Sequence, residues 1–188
     1  MCGNRTVCGA TPACFSCASF QKSPQTKSRD VLNVEDYNSL LDQLLQEEND
    51  LQFTQFTNKM AFEIGSRIVE KAETEGKSVL VDIQRNGQCL FHCAMEGKSL
   101  NNAQWVKRKN NVVRHFGRSS YYMATLLKSK KATMAEWAFL DPNEYAAVGG
   151  AFPLIIKGAG VVGTISVSGL PQEEDHRLVT SVLEEFMI

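Results

Sequence analysis

The chain lacks any apolar run near the ~20 residues that a membrane-spanning helix needs. It lacks net charge too: twenty Lys and Arg against twenty-one Asp and Glu leave −1 at neutral pH, giving no case for a generic polyanion binder. Nucleic acid is therefore not expected as a partner, and no nucleic-acid motif matches. No P-loop, G-x-S-x-G or H-E-x-x-H is present. Three histidines, each in a different element, compose no triad, so no catalytic residue is assigned and enzymatic activity stays open. No stretch has the apolar core of a secretory signal, which argues against a disulfide framework. Reduced cysteines and a cytoplasmic location are the expectation.

What is present is distributed unevenly. Four of the six cysteines fall at Cys2, Cys8, Cys14 and Cys17, within a segment that has four bases and no acid before Asp30. Residues 1–32 are read as an extension outside the folded domain, either disordered or an organelle-targeting peptide. A zinc site is a third reading, but only Cys14 and Cys17 have C-x2-C spacing. Residues 34–50 hold six acids and no base, whereas 97–118 hold six bases and no acid. Such blocks suit pairing within a fold or between subunits.

Residues 33–188 are expected to form one domain. Asn33 caps a helix to about Asn49 with Leu40, Leu41, Leu44 and Leu45 as its stripe. A strand is expected at 51–55. Thr57 caps the next helix, whose apolar face is Ala61, Phe62, Ile64, Ile68, Val69 and Ala72. Asn86-Gly87 suits a two-residue type I′ hairpin turn between strands at 78–84 and 88–95. In that register Ile83 faces Leu90, Asp82 faces Phe91 and Val81 faces His92. His92 then points away from Cys89 and Cys93, and the two cysteines lie roughly 13 Å apart at ~3.3 Å per residue. No metal site is expected there.

A helix over 99–116 carries Trp105, Val106, Val112, Val113 and Phe116, with Lys107, Asn111, Arg114 and Arg118 as a basic face. A further helix follows with Tyr121 and Tyr122. Thr133 and Glu136 make a capping box. Strands at 152–157 and 161–168 flank Gly158-Ala159-Gly160, and Pro153 places the first of them at a sheet edge.

ISVSGLPQEEDH, residues 165–176, concentrates polar groups where the last strand meets the last helix. Pro171 fits the first helical position, and Glu173 and Glu174 complement the helix dipole. Asp175 precedes Val179, Val182 and Phe186 by 4, 7 and 11, so it lies on the core-facing stripe and needs a partner. His176 stands beside it as ligand, base or structural histidine. Gly149 and Gly150 permit close backbone approach. The candidate ligand contacts are Asp175, His176, Gly149 and Gly150, with Lys107 and Arg114 as anion contacts.

NGQCLFHCAMEG, the WVKRK and RHFGRSSYYM stretches, and GGAFPLIIKGAGVVGTISVSGLPQEEDH together resemble the GlcG/HbpS-like superfamily over residues 51–188. The resemblance is to its small cytosolic, haem-degrading-domain subgroup of bacteria and fungi. It implies an α/β (α+β) fold: a five-stranded antiparallel sheet with helices packed on it, assembling into dimers and larger rings. It also implies a small-molecule ligand, with haem or iron as the cofactor and haem degradation as an activity. The alternative is a non-enzymatic oligomeric adaptor, since a fungal member of the subgroup is associated with delivery of tail-anchored membrane proteins.

Overall fold

The computed structural model describes residues 34–187. The cysteine-rich extension lies outside them. Six helices and four strands follow in the order α1 (Val34–Asp50), α2 (Asn58–Thr74), β1 (Leu80–Arg85), β2 (Gln88–Ala94), α3 (Leu100–Phe116), α4 (Ser120–Ser129), α5 (Met134–Ala138), β3 (Ala151–Ile156), β4 (Gly160–Ser168) and α6 (Gln172–Glu185). The sheet is antiparallel throughout, in spatial order β2-β1-β4-β3. Among the described residues no helix is long and apolar enough to cross a membrane.

The sheet has four strands where five were expected. Residues 51–55 contribute one parallel bridge, Phe53 to Ile156, held by Phe53 N–H to Ile155 O and Lys157 N–H to Phe53 O. Leu51, Phe53 and Phe56 turn their side chains into the core, which anchors the segment without a ladder. Pro153 does sit on the edge strand β3.

The two sheet faces differ in chemistry. Val81, Ile83, Phe152, Leu154, Ile165 and Val167 form one face, fully buried beneath α2 and α6. Each such side chain contributes about 1.5–3 kcal/mol by leaving water. Ile64, Ile68 and Ala72 of α2 meet it, as the helical spacing predicts, and Thr57 accepts the Met60 N–H as cap. Phe62 departs from that stripe and is 62% exposed. The opposite face carries Asp82, Thr164, Ser166 and Ser168, all buried, with Lys109 and Asn110 of α3 pressed onto it. A polar layer under a helix is stable only when its groups are satisfied, so it marks where the fold departs from plain packing.

The first hairpin has the expected turn, with Asn86 and Gly87 both at positive φ (50° and 82°). Its register differs. Gln84 pairs with Cys89 as expected, but a bulge follows, so Ile83 pairs with Phe91, Asp82 with His92 and Val81 with Cys93. One extra residue reverses the facing of everything beyond it. Phe91 thereby packs onto Gly65 of α2, where any Cβ would meet its ring at 2.4 Å. His92 turns to the polar face beside Asp82, with Cys89, and not to the apolar face.

Among the described residues, the acidic and basic blocks meet at Glu48 and Arg118. Glu48 of α1, 1% exposed, accepts from Arg118 at 2.9 Å and from the Ser119 N–H at the start of α4 at 2.7 Å.

Candidate functional site

α3 runs with Asn101, Asn102, Trp105 and Lys109 along one side, and that side faces the β4–α6 junction. Between them lies a cleft of about 250 Å³, closed by Val148, Ser168, Gly169, Leu170 and Asp175. Asp175 is deeply buried, as its place on the stripe predicts. Its Oδ2 accepts from Lys109 Nζ at 2.8 Å and its Oδ1 from the Leu170 N–H at 3.0 Å. Lys109 also donates to the Val167 carbonyl at 3.1 Å. Burial lowers the Lys109 pKa and raises that of Asp175, and each partner's charge pulls the other back.

The two glycines before β3 make this arrangement sterically feasible. A Cβ on Gly150, whose φ is +116°, would lie 2.5 Å from the Val167 carbonyl oxygen and 2.8 Å from both Lys109 Nζ and Asp175 Cβ. One on Gly149 would lie 2.2 Å from the Gln172 carbonyl oxygen. Asp175, Gly149 and Gly150 thus converge at one junction.

The other candidates lie elsewhere. His176 faces away from the cleft: Nε2 meets Glu47 Oε2 of α1 at 2.9 Å, and the ring packs against Tyr121 and Phe152. Its Nδ1 is buried and has no hydrogen-bond partner. Lys107 is exposed and pairs with Glu144 at 3.5 Å. Arg114 contacts Gln84 and Asn111 near the far end of α3, beside a groove formed with Asn86, Gly87 and Val161.

Trp105 was expected on the apolar stripe of this helix; Lys109 was not singled out in the sequence although a signal was there. Trp105, Val106, Lys109, Val112, Val113 and Phe116 share one helical spacing, so Lys109 interrupts the apolar stripe. Cationic charge also collects at the cleft. Lys98 Nζ would stand 3.1 Å from a Cβ on Gly169, and the Arg108 guanidinium lies over the Trp105 ring, 4.0 Å from its centroid. The first turn of α3 holds no acid, so its dipole is uncompensated there.

A second cluster sits on the same sheet face at β2. His92 Nδ1 lies 2.9 Å from Asp82 Oδ1, while Asp82 Oδ2 accepts from Gln84 Nε2 at 2.8 Å and Asn110 Nδ2 at 3.1 Å. Asn110 is itself fixed by the Ser166 hydroxyl. Cys89 completes the group, its thiol pKa raised by burial and by the Asp82 charge.

The model of one protein family, described as haem degrading protein HbpS-like, matches residues 56–184. The chain belongs to the HbpS-like family. Among its relatives, a UPF0303 protein of Edwardsiella ictaluri (strain 93-146) is 48% identical over 147 residues, covering 78% of this chain and 94% of that protein. A UPF0303 protein of Streptomyces coelicolor is 46% identical, covering 77% and 92%. Of solved structures, the Ybr137w protein matches this HbpS-like chain with TM-score 0.74 and 34% identity, over 78% of this chain and 87% of that one. HbpS itself matches in fold, with TM-score 0.56 and 22% identity over 72% and 92%. So does PduOC, solved as a haem complex, with TM-score 0.59 and 16% identity over 72% and 95%.

Proposed function

We propose that this HbpS-like chain binds a small anionic metabolite, of the carboxylate or phosphate class, in the cleft between α3 and the β4–α6 junction. The observation that carries this reading is the charge beside the cleft: Lys98 and Arg108 stand next to its lining residues Gly169 and Trp105, while Lys109 and Asp175 on its wall balance each other. The acid-free N-terminus of α3 adds positive potential in the same place. Asn101 and Asn102 supply amide groups, and Trp105 an apolar wall.

Haem does not fit this cleft. Its lining has no imidazole, thiol, thioether or phenol to ligate iron. Its volume also falls below the ~300–1,000 Å³ usual for ligand pockets. The haem complex of PduOC makes haemin the second probe to test. Self-assembly belongs to the proposal too. Leu100 and Phe139, 84% and 90% exposed, are the residues offered as its contacts.

Calorimetric titration with inorganic phosphate, succinate and haemin distinguishes the readings. Saturable heat with phosphate or succinate, lost in Trp105→Ala, is the expected result. A shifted Soret band with haemin and no anion binding would replace the anion reading with haem. Absence of all three would leave the chain an oligomeric adaptor and overturn the binding site.

A further inference from the structure

Asp82, Cys89 and His92 each offer one donor atom, and the three atoms lie within 4.8 Å of one another. We propose that they form a binding site for a divalent cation of the zinc class, open to solvent at its fourth position. The site is separate from the anion cleft and does not depend on it.

The donor set selects the ion. A carboxylate oxygen, a thiolate sulfur and an imidazole nitrogen together suit a borderline-soft metal, and calcium and magnesium prefer oxygen alone. Charge balances as well, because one carboxylate and one thiolate neutralise a dication while the imidazole stays neutral. Binding forms the metal–sulfur bond and breaks the S–H bond of Cys89, whose proton passes to solvent.

The geometry needs little adjustment. Tetrahedral zinc separates its nitrogen and oxygen donors by roughly 3.3 Å, against the 2.9 Å of the present His92–Asp82 contact. Cys89 is exposed and can approach by rotating about χ1. Asp82, the buried member, is held from behind by Gln84 and Asn110, and Asn110 by Ser166. Such outer partners are what orient a metal ligand. They hold the other oxygen, Oδ2, and leave Oδ1 facing His92 at the front of the site. The bulge in β2 creates the cluster, since regular pairing would send His92 to the other face. A hydrogen bond between His92 and Asp82 would need neither the bulge's third donor nor an entry path. The exposure of Cys89 and the 45% exposure of the His92 side chain provide both.

The test uses the full chain with Cys2, Cys8, Cys14 and Cys17 replaced by serine, stripped with chelator and titrated with Co²⁺. One equivalent should bind, with the near-ultraviolet charge-transfer band of a cobalt–thiolate bond and tetrahedral visible absorption. Zn²⁺ should displace it with no further proton release, whereas Zn²⁺ added to the metal-free chain should release one proton per chain at neutral pH. Cys89→Ser, on an exposed position, should abolish the charge-transfer band and weaken Zn²⁺ binding at least tenfold. His92→Ala should do the same, while Cys93→Ser should leave both unchanged. Absence of the band, or a band lost with Cys93→Ser and kept with Cys89→Ser, overturns the proposal. Circular dichroism of each variant separates lost ligation from lost folding.

Discussion

Lys109 Nζ stands 2.8 Å from Asp175 Oδ2 across 66 residues of sequence, and both side chains are 2% exposed. The pair pins α3 to the first turn of α6 and so fixes the width of the cleft. Removing one partner leaves the other charge buried. Lys109→Met should cost about 3–5 kcal/mol in urea unfolding, and Lys109→Met with Asp175→Leu should recover most of it.

The lone Asp175 of Lys109→Met also carries a pH signature. Burial raises its folded pKa above the unfolded one, so protonation favours the folded state. Its contribution is complete below the unfolded pKa of about 3.9 and is lost as pH rises through the folded value. The deficit of Lys109→Met against wild type should therefore shrink as the pH falls from 7 towards 4.

Gly150→Ala would place a methyl group against the Val167 carbonyl and Lys109, at a φ that side chains rarely adopt. A loss of about 1–3 kcal/mol is expected from backbone strain alone, with steric displacement in addition. Gly76→Ala is the control: it also has positive φ, but nothing stands within 4 Å of its added Cβ. Thermal unfolding should show the larger loss at Gly150.

Tyr121 should ionise late in an alkaline titration. Burial and the nearby acids Glu173 and Glu47 push its pKa up to about 12. Because the folded value is raised, its stabilising contribution is complete below the unfolded pKa of about 10 and is lost as pH rises through about 12. Ultraviolet phenolate titration should show a late step that Tyr121→Phe removes.

Glu48→Ala would leave the Ser119 N–H without its acceptor and α1 without its tie to Arg118. A cost of about 1–3 kcal/mol follows from an unsatisfied buried donor. Hydrogen exchange should quicken along Val34–Asp50 before it quickens in the sheet.

Helices and caps were legible because their signals are local. Thr57 and the Thr133–Glu136 box are observed as caps, and Gly117 ends α3 in the left-handed region. The last helix starts one residue later than expected, with Pro171 as its cap and Gln172 as its first residue. Residues 51–55 misled because a core-facing apolar segment reads as a strand whether or not a ladder forms. The bulge in β2 was hidden for a related reason: both faces of QCLFHCAM are largely apolar, so alternation fixes no register there. Matching the polar pair Asp82 and His92 across the strands would have revealed it.

At the site, Asp175 was legible from its spacing on α6 and the glycines from their position. Its partner was not. Lys107 and Arg114 lie on a visibly basic face and invited attention, while Lys109 was masked by the apolar residues around it. His176 adjoins Asp175 in sequence but points at α1, because neighbouring helix residues diverge by about 100°.

The central claim is that the α3/β4–α6 cleft holds a small anion. Native mass spectrometry of the full chain, purified without phosphate or carboxylate buffers, tests it most directly. The wild type should retain a small anionic molecule that Trp105→Ala and Lys109→Met with Asp175→Leu both lose while still folded. Retention of the same molecule by both variants, or of none by a wild type that also ignores added phosphate and succinate, would contradict it.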